Sequence, residues 1–461
     1  MKSTAEIAAE LQGYDPQALP ATDVLHFLSR LVEPVQDRME LPLLEALGRV
    51  LATDVVSPFD VPPHDNSAMD GYAFDGTRLA EGTALSLKVV GTALAGKAWQ
   101  GTVQAGECLK IMTGAILPPG LDTVVPQELV AVRTEASSPR PAQARPGSAR
   151  TELITVPASL LNPGDNRRLR GEDLKQGLPA LLKGELLTPA RLGLAASLGL
   201  KTVSTWRPLR VAYFSTGDEI LSLGEPPREG AVYDSNRYTV FGMLRRLGCE
   251  VLDMGVVRDD PALLEAAFTS AAAQADAIIT SGGVSVGEAD YTKAMMKKLG
   301  DVAFWKVAMR PGRPMAVGRI LQDKLASGPL KTSTRSYQKH NHSNGAILFG
   351  LPGNPVAVMV TFLAFVRPAL LQMMGCSAAP PPLLKARSLM PIRKKPGRTE
   401  YQRGSVSTAA DGSLQVKITG NQGSGVLSSM AQANGLIVLH HAQGNVASGE
   451  EVDVMMFEGV I

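Results

Sequence analysis

Two glycine-rich segments of this sequence combine the residue types that bind phosphate and a hard metal ion. The clearer one is Ala275–Tyr291, ADAIITSGGVSVGEADY, in which an apolar stretch runs into Ser281, Gly282 and Gly283 and then into acids that include Asp290. Glycines let backbone N–H groups approach an anion, and carboxylates beyond them can hold a cation such as Mg²⁺. The segment predicts an anion site beside a cation site.

The second segment, Phe214–Leu221, repeats this order of residue types in FSTGDEIL and ends with Glu219. Asp259 follows the next apolar run, and its neighbour Asp260 is a helix cap. Two such loops on one sheet edge are much less expected by chance than one. We therefore predict that they form parts of a single cleft.

Cations and a rigid turn occur further along the chain. Lys306, Arg310 and Arg313 surround a Pro-Gly turn in WKVAMRPGRPMAV and could converge on one dianion, although a basic surface hairpin is the alternative. The FGLPGNPVA segment closes a strand and opens an apolar helix, so its free N–H groups favour an anion. Its residues Pro352, Gly353, Asn354 and Pro355 could equally be purely structural.

Three polar clusters lie in the first half of the chain. Asp65 lies in PPHDNSAMDGYA, where an Asx-type turn is the alternative, and Thr113 lies in KIMTGAILPPG, where a hairpin corner is the alternative. Arg168 and Asp173 lie in NRRLRGEDLKQG, which could bind an oxyanion and a metal or could be a solvated charge run.

The elements that must position these residues follow a strand–helix alternation. Strands are predicted at 210–215, 251–257 and 277–280, and helices at 238–247 and 260–274. This order predicts a parallel sheet with helices on both faces, and ligands of such sheets bind beyond the carboxyl ends of the strands.

The remaining segments predict further domains. Helices are predicted at 22–33, 43–51, 186–200 and 356–374, a small all-β domain between 54 and 177, and a β-rich domain after 383. The polar stretches 133–150 and 322–344 are interpreted as insertions. The first is rich in Pro, Ser, Ala and Arg, which is typical of disorder, with a basic partner-binding arm as the alternative.

Composition limits the class of protein. A length of 461 residues indicates three or four domains, and 44% hydrophobic with 20% charged residues is typical of globular proteins. A net charge of +2 gives no electrostatic case for nucleic acid, and the longest apolar run is too short for a membrane span. Three separated cysteines fit a reducing compartment, so a cytoplasmic protein is expected.

Taken together, these segments resemble the molybdopterin molybdenumtransferase family, which also includes the C-terminal domain of gephyrin. The resemblance runs from about residue 22 to the end, apart from the two insertions. It is carried by DNSAMDGYA, IMTGA, RGEDL, FSTGDEI, TSGGVSVGEADYTK, FWKVAMRPGRP, GLPGNPVA, GRTEYQRG and QGSGVLSSMAQANGLIVL.

The resemblance implies a multidomain α/β plus β fold. Residues 1–57 and 177–207 would form an elongated linking domain, 58–176 a barrel-like β domain, 208–377 an adenylyltransferase-like molybdopterin-binding domain, and 378–461 a C-terminal β-barrel. It also implies a homodimer. Candidate partners are the molybdopterin adenylyltransferase and the molybdoenzymes or their maturation proteins.

The implied reaction belongs to molybdenum cofactor biosynthesis. Molybdate is inserted into adenylylated molybdopterin, with Mg²⁺-dependent hydrolysis of the adenylate and release of AMP. Three alternatives stay open at this point: a molybdopterin adenylyltransferase, a tungstate insertase and a non-catalytic scaffold.

The resemblance also implies roles for individual residues. The implied catalytic residues are Asp65, Asp173, Glu219, Asp259, Asp290 and Lys306, with Asp173, Asp259 and Asp290 as the metal ligands. The implied substrate-binding residues are Thr113, Arg168, Ser281, Gly282, Gly283, Arg310, Arg313, Pro352, Gly353, Asn354, Pro355, Arg403 and Ser429.

Two residues depart from the pattern of the family. Arg310 replaces a common lysine, and Ala357 stands where many members have a serine. A planar guanidinium replaces a point charge and one hydroxyl is lost, so details of oxyanion binding, including the choice between molybdate and tungstate, are open.

Overall fold

The structure is a computed structural model that describes residues 2–80, 82–136, 150–284, 291–321, 345–377 and 379–457. The chain forms two compact units. We call Met1–Thr53, Lys183–Leu192 and Lys201–Ile461 the main unit, and Asp54–Leu182 with Gly193–Leu200 the inserted unit.

The secondary-structure elements are numbered in chain order. The helices are α1 (Thr4–Ala9), α2 (Ala21–Leu31), α3 (Pro189–Ser197), α4 (Ser235–Arg246), α5 (Pro261–Gln274), α6 (Tyr291–Leu299), α7 (Pro355–Thr361), α8 (Arg367–Met373) and α9 (Leu427–Ala431). The strands of the first half are β1 (Arg38–Pro42), β2 (Val55–Val56), β3 (Asn66–Ser67), β4 (Gly71–Phe74), β5 (Leu85–Ala93), β6 (Glu107–Ile111), β7 (Thr123–Pro126), β8 (Ala131–Ala136), β9 (Arg150–Val156), β10 (Arg167–Arg168), β11 (Pro179–Leu181) and β12 (Thr202–Trp206). The later strands are β13 (Arg210–Thr216), β14 (Ile220–Leu221), β15 (Val232–Tyr233), β16 (Glu250–Val257), β17 (Ala277–Ser281), β18 (Gly300–Lys306), β19 (Met309–Arg310), β20 (Pro314–Ile320), β21 (Ala346–Leu351), β22 (Leu384–Ser388), β23 (Thr399–Thr408), β24 (Leu414–Ile418), β25 (Gly435–Leu439) and β26 (Glu451–Met456).

The main unit contains a six-stranded sheet in the order β16-β13-β17-β21-β20-β18. The first four strands are parallel, and β20 and β18 are antiparallel to their neighbours. Every residue of β17 and β21 is buried, as expected for central strands covered on both faces. The predicted parallel sheet is therefore confirmed, with an antiparallel edge that the strand–helix alternation did not indicate.

Local capping fixes where the helices of this sheet begin. The side chain of Asp260 accepts hydrogen bonds from the backbone of Ala262 and Leu263, and Pro261 opens α5. The side chain of Asp234 accepts from the backbone N–H of Arg237 at the start of α4. Both caps place a helix start just after the carboxyl end of a strand.

A long apolar helical run packs into the core of the main unit. It comprises α7, a π-helical turn at Phe362–Val366, and α8. The prediction that the longest apolar run is too short for a membrane span was wrong, because the helical run Pro355–Met373 is long and apolar enough. However, 67% of its most apolar window is buried within the protein. Phe362, Phe365 and Val366 are fully buried, so packing accounts for the apolar character of this run.

The C-terminal part of the main unit is a closed five-stranded β-barrel. Strand β23 pairs with β24 and β25, β24 pairs with β22, and β26 joins β22 to β25. The barrel has its own apolar core, which includes Ile392, Val416, Ile437 and Val454. The short strand β19 adds to β23.

The inserted unit contains a six-stranded sheet in the order β7-β4-β6-β5-β9-β8. Two smaller pairings, β2 with β11 and β3 with β10, join segments distant in sequence. Apolar clusters lie on the sheet and include Ala73, Phe74, Leu109, Val124 and Ile154. The predicted all-β character of this region is confirmed.

Two local predictions were wrong. The helix predicted at 43–51 is only a 3₁₀ turn at Leu43–Glu45, and Leu44 is 94% exposed. The helix predicted at 22–33, in contrast, is confirmed as α2, which begins one residue earlier, at Ala21 after Pro20. The ends of the segment predicted to be a disordered insertion are strands, because β8 and β9 pair from Ala131–Thr155 to Ala136–Arg150. Residues 137–149 and 322–344 lie outside the described residues.

Candidate functional site

A cavity of about 1110 Å³ lies in the main unit at the carboxyl ends of the parallel strands. Its lining joins the ends of β13, β17 and β21 to the turn before β20 and to the loop 422–425 of the barrel region. This is the sheet edge where ligands of parallel α/β sheets bind. Segments that are far apart in the sequence therefore meet in one site.

The predicted glycine loop borders this cavity. Gly282 and Gly283 have φ angles of 93° and 64°, a region that favours glycine. A Cβ atom at Gly282 would lie 2.5 Å from the carbonyl oxygen of Thr216, so a larger residue would not fit. Residues 285–290 lie outside the described residues, and they include Asp290, which was predicted to be catalytic and a metal ligand.

Three buried hydroxyl groups form a ring at the ends of β13 and β17. The hydroxyl of Tyr213 lies 2.7 Å from that of Ser281 and 2.9 Å from that of Ser215, and the two serine hydroxyls are 3.2 Å apart. Both serines border the cavity. Burial raises the pKa of Tyr213, so the phenol stays protonated.

The acidic part of the cavity comes from the loop after β13. Glu219 borders the cavity, and Gly217, with φ of 137°, leaves room for its carboxylate. The backbone N–H of Asp259 lies 3.4 Å from the Asp218 carboxylate, so Asp259 lies next to the same loop. The structure therefore brings the predicted acids Glu219 and Asp259 to one region of the main unit.

The basic part comes from the turn between β18 and β20. Arg310 and Arg313 are exposed and border the cavity, as does Arg398 of the barrel region. Arg398 also forms an ion pair of 2.7 Å with the buried Glu400. Lys306 was predicted to be catalytic, but it is not among the residues that border the cavity, and its backbone bonds to Pro16 and Leu19.

The turn Pro352–Pro355 borders the cavity at the start of α7. Asn354 is the N-cap of this helix but makes no side-chain cap. Its amide instead donates to the hydroxyl of Ser424 at 3.1 Å, and the backbone of Val356 donates to the carbonyl of Ser424. The turn is thus fastened to the barrel loop that forms another wall.

Arg403 and Ser429 lie beneath that barrel loop. Arg403 is 1% exposed, and its guanidinium donates to the carbonyls of Asn421, Gln422 and Gly423 and to the hydroxyl of Ser429. Burial, with a smaller effect of Arg310, lowers the pKa of Arg403 to about 10. Both residues were predicted to bind substrate directly. In the structure they instead hold the loop that does border the cavity.

Sequence reasoning did not include three parts of the lining in the site. They are Asp234 with Asn236 at the start of α4, Arg398, and the loop Gln422–Gly425. Asp234-Ser235-Asn236 lies between a strand and a helix, the same kind of junction that identified the glycine loops. The barrel loop carries no comparable local signal, because only the fold brings it to the sheet edge.

The other predicted site residues lie in the inserted unit. The carboxylate of Asp65 accepts from the backbone of Arg170 at 2.8 Å and borders a second pocket of about 600 Å³. Arg168 donates to Glu172 at 2.6 Å, and Asp173 is exposed.

Thr113 donates to Asp70 in the same unit. Its backbone N–H and hydroxyl lie 2.6 Å and 2.7 Å from one carboxylate oxygen, and they lower the pKa of Asp70. The Asp70 carboxylate thus fixes Thr113 at the corner after β6.

No group of three or more His, Cys, Asp or Glu side chains that could hold a metal ion occurs in the described ranges. Glu219 and Asp259 do supply hard oxygen atoms at one sheet edge. Mg²⁺ often binds one or two carboxylates and completes its coordination with substrate phosphates and water. These two residues are compatible with such a site.

Family models match three successive regions of the chain. Residues 19–199 match the model described as the MoeA N-terminal region (domain I and II), and residues 212–372 match a probable molybdopterin binding domain. Residues 385–457 match the MoeA C-terminal region (domain IV).

Curated relatives match along nearly the whole chain. The molybdopterin molybdenumtransferase of Haemophilus influenzae is 39% identical over 435 residues, which cover 94% of this chain and 97% of the relative. The protein of the same name from Nostoc is 34% identical over 446 residues, which cover 95% and 93% of the two chains.

A solved structure has a similar fold. The molybdopterin biosynthesis moeA protein from Pyrococcus horikoshii superposes with a TM-score of 0.72 at 26% identity. The match covers 95% of this chain and 100% of that one.

Proposed function

Because this chain belongs to the MoeA family of molybdopterin molybdenumtransferases, we propose that it inserts molybdate into adenylylated molybdopterin. It is a transferase of molybdenum cofactor biosynthesis. The single observation that best supports the finer reaction is the cavity itself. Its glycine loop, its acid Glu219 and its cations Arg310 and Arg313 lie together at the carboxyl edge of the sheet.

The proposed reaction begins with hydrolysis of the adenylate. Water attacks the phosphoanhydride, the P–O bond breaks, and AMP leaves while the phosphate of molybdopterin remains. The backbone N–H groups of Gly283, Gly353 and Asn354 would hold phosphate oxygens. The two prolines of the turn have no N–H, and that of Gly282 already donates to the carbonyl of Leu351. Arg310 and Arg313 would hold molybdate, which is a dianion, next to the dithiolene sulfurs that receive the molybdenum. Two Mo–S bonds form as one oxide leaves molybdate, and that oxide departs as water with the two thiol protons.

We propose Mg²⁺ as the metal of this reaction. A bound Mg²⁺ would polarise the phosphoanhydride and offset charge on its oxygens. Within the main unit Glu219, which borders the cavity, and Asp259, which lies next to the same loop, are the proposed ligands, and Asp290 is a further candidate from the sequence. Asp65 and Asp173 of the inserted unit remain proposed site carboxylates on the basis of the family motifs.

The test is an assay of AMP release by purified protein. With adenylylated molybdopterin, Mg²⁺ and molybdate, we expect AMP release and transfer of molybdenum to molybdopterin. Glu219→Gln should lower the rate by about 10²-fold, since a positioned carboxylate at the reacting phosphate is lost. Glu229→Gln, an exposed glutamate that does not border the cavity, is the matched control and should retain the wild-type rate.

Other results of the same assay would overturn the proposal. Absence of AMP release with all components present would contradict it. Transfer of the adenylyl group from ATP to molybdopterin, with release of pyrophosphate, would indicate the preceding enzyme. Activity that survives chelation of Mg²⁺ would remove the metal from the proposal. Tungstate in place of molybdate measures the oxyanion preference, on which Arg310 is expected to act.

We also propose that the protein is a homodimer of the cytoplasm. Leu44 and Leu47 of the main unit are 94% and 54% exposed and leave apolar surface that a second copy could cover. The three cysteines are free, which suits a reducing compartment. Light scattering should give about twice the chain mass of 48.7 kDa, and Leu44→Glu with Leu47→Glu should reduce it. A monomeric wild type would contradict this part.

A further inference from the structure

Three buried side chains beside the cavity each leave one oxygen without a hydrogen-bond partner among the described residues. They are Oγ1 of Thr216, Oδ2 of Asp234 and Oδ1 of Asn236. The three residues are 3%, 4% and 7% exposed, and all border the cavity. Thr216 ends β13, and the other two flank the first residue of α4.

The remaining polar atoms of these side chains are already engaged. The other carboxylate oxygen of Asp234 accepts from the backbone N–H of Arg237 at 3.0 Å. The amide nitrogen of Asn236 donates to the carbonyl of Gly353 at 2.7 Å, which settles which end of the amide is oxygen. Two fixed acceptors and a hydroxyl therefore lack partners in buried positions, where an unpaired polar atom is costly.

The start of α4 is unsuited to an anion, although helix N-termini usually attract one. The carboxylate of Asp234 already accepts the N–H of Arg237 and would repel a second negative charge. Its charge, after burial, also contributes to the raised pKa of Tyr213. The cations Arg310 and Arg313 come from a different segment, the turn before β20. Acceptor oxygens from the start of α4 and cations from that turn thus both contribute to the lining.

The hydroxyl ring favours the same kind of ligand atom. Each of its three hydroxyls can donate one hydrogen bond and accept one within the ring. The serine hydroxyls keep a second lone pair for an N–H donor, whereas donating to an anion would break a bond of the ring. The surroundings of Asp234 therefore select donors.

We propose that Thr216, Asp234 and Asn236 bind the N–H donors of the pterin ring, namely its 2-amino group and N3–H. This inference rests on the proposed function, which supplies the pterin as part of the substrate. Two adjacent donors on a flat ring match a carboxylate oxygen and a nearby amide oxygen. The pterin ring would lie at the start of α4, and the phosphate of molybdopterin would be directed toward the glycine loop and the cations.

The test compares two small probes that differ in the group at position 2 and, with it, in the proton on N1. Pterin carries the 2-amino group, whereas lumazine carries a carbonyl there and so presents an acceptor to Asp234. Fluorescence titration of the full-length protein should show pterin binding at least about tenfold more tightly than lumazine, because mismatched acceptors are left facing each other. Equal affinities, or binding of neither probe, would overturn the proposal.

Asp234→Asn makes the test specific. The asparagine oxygen can still accept from Arg237 and cap α4, while its NH₂ faces the cavity as a donor. The preference for pterin should fall by at least about tenfold and shift toward lumazine. Asp260→Asn makes the same change at the exposed cap of α5, outside the cavity, and should leave the preference unchanged. An unaltered preference in Asp234→Asn would contradict the assignment.

A second variant covers the case in which Asp234→Asn does not fold. Thr216→Val keeps the side-chain shape and removes one unpaired hydroxyl, so pterin affinity should fall a few-fold. These titrations contain no adenylate, molybdate or Mg²⁺. Selective pterin binding without AMP release would contradict only the proposed function, and AMP release without pterin selectivity would contradict only this inference.

Discussion

Arg403 shows how a buried charge shapes the site without bordering it. Its guanidinium is enclosed by three carbonyls of the segment Asn421–Gly423 and by the hydroxyl of Ser429, which itself donates to Val426. The planar fork with several N–H donors suits this arrangement, and a lysine ammonium could not reach all the acceptors at once. Arg403 is thus a positioning residue for the barrel loop.

Arg403→Lys should therefore lower both stability and ligand affinity. Loss of charge-assisted hydrogen bonds in a buried place should reduce the free energy of unfolding by about 2 kcal/mol. Urea unfolding measures this change, and the same protein should bind molybdate more weakly because its loop 422–425 borders the cavity. Arg387→Lys, an exposed arginine of the same barrel, should change stability by less than about 0.5 kcal/mol. Wild-type stability in Arg403→Lys would show that the barrel loop does not depend on the guanidinium group of Arg403.

At the residue scale, local sequence patterns identified much of the cavity lining. The pattern of an apolar strand followed by glycines and acids predicted Ser281–Gly283 and Glu219 as part of the site. The Pro-Gly turn between basic residues predicted Arg310 and Arg313, and all of these residues border the cavity. The structure brings these segments together at one cavity. The acceptor oxygens at α4 could not be predicted, because an unpaired atom is defined only once all its neighbours are placed.

At the scale of elements, helix and strand positions in the α/β sheet were predictable because caps and apolar runs agree there. Asp260-Pro261 begins α5 as predicted, and β17 continues one residue beyond the predicted 277–280. The helix predicted at 43–51 was wrong although its leucines lie at helical spacing. Leu44 and Leu47 are exposed and so do not belong to a buried helix face. Exposure of this kind cannot be read from hydrophobic periodicity.

Two glycines of the main unit should respond oppositely to the same substitution. Gly318 lies in β20 between β18 and β21, and a Cβ there would be 2.0 Å from the carbonyl oxygen of Asp301. Since backbone cannot move aside cheaply, Gly318→Ala should destabilise by about 3 kcal/mol. Gly242 lies on the exposed side of α4 with no atom within 4 Å, so Gly242→Ala should stabilise by about 1 kcal/mol.

Thermal and urea unfolding of the two variants would measure this difference. A tolerated Gly318→Ala would show that β18 and β20 are not as close as described. A destabilised Gly242→Ala would indicate that this face of α4 is covered by another molecule.

At the scale of the whole molecule, the inserted unit begins and ends on a pair of antiparallel strands. Val56 of β2 lies opposite Pro179 of β11, and Ser57 exchanges backbone hydrogen bonds with Gly177 and Leu178. The chain therefore leaves and returns at nearly the same point. A tight turn could close this gap.

Replacing residues 58–176 with Asn-Gly should leave the main unit folded. The turn matches the right-handed twist of an antiparallel pair, and the main sheet and the barrel keep their own cores. Circular dichroism should show cooperative melting of the shortened protein, while molybdenum insertion should be lost with Asp65, Thr113, Arg168 and Asp173. An unfolded or aggregated product would show that the main unit depends on the inserted one.

The ring of Tyr213, Ser215 and Ser281 has a consequence of its own. Because either atom of each pair can be the donor, its protons can circulate in two opposite senses with no movement of the heavy atoms. The ring can therefore take two proton arrangements, which differ only in which hydroxyl of each pair is the donor. A ligand that requires one sense would select it, so this apparently rigid part of the site can adapt its polarity without changing its shape.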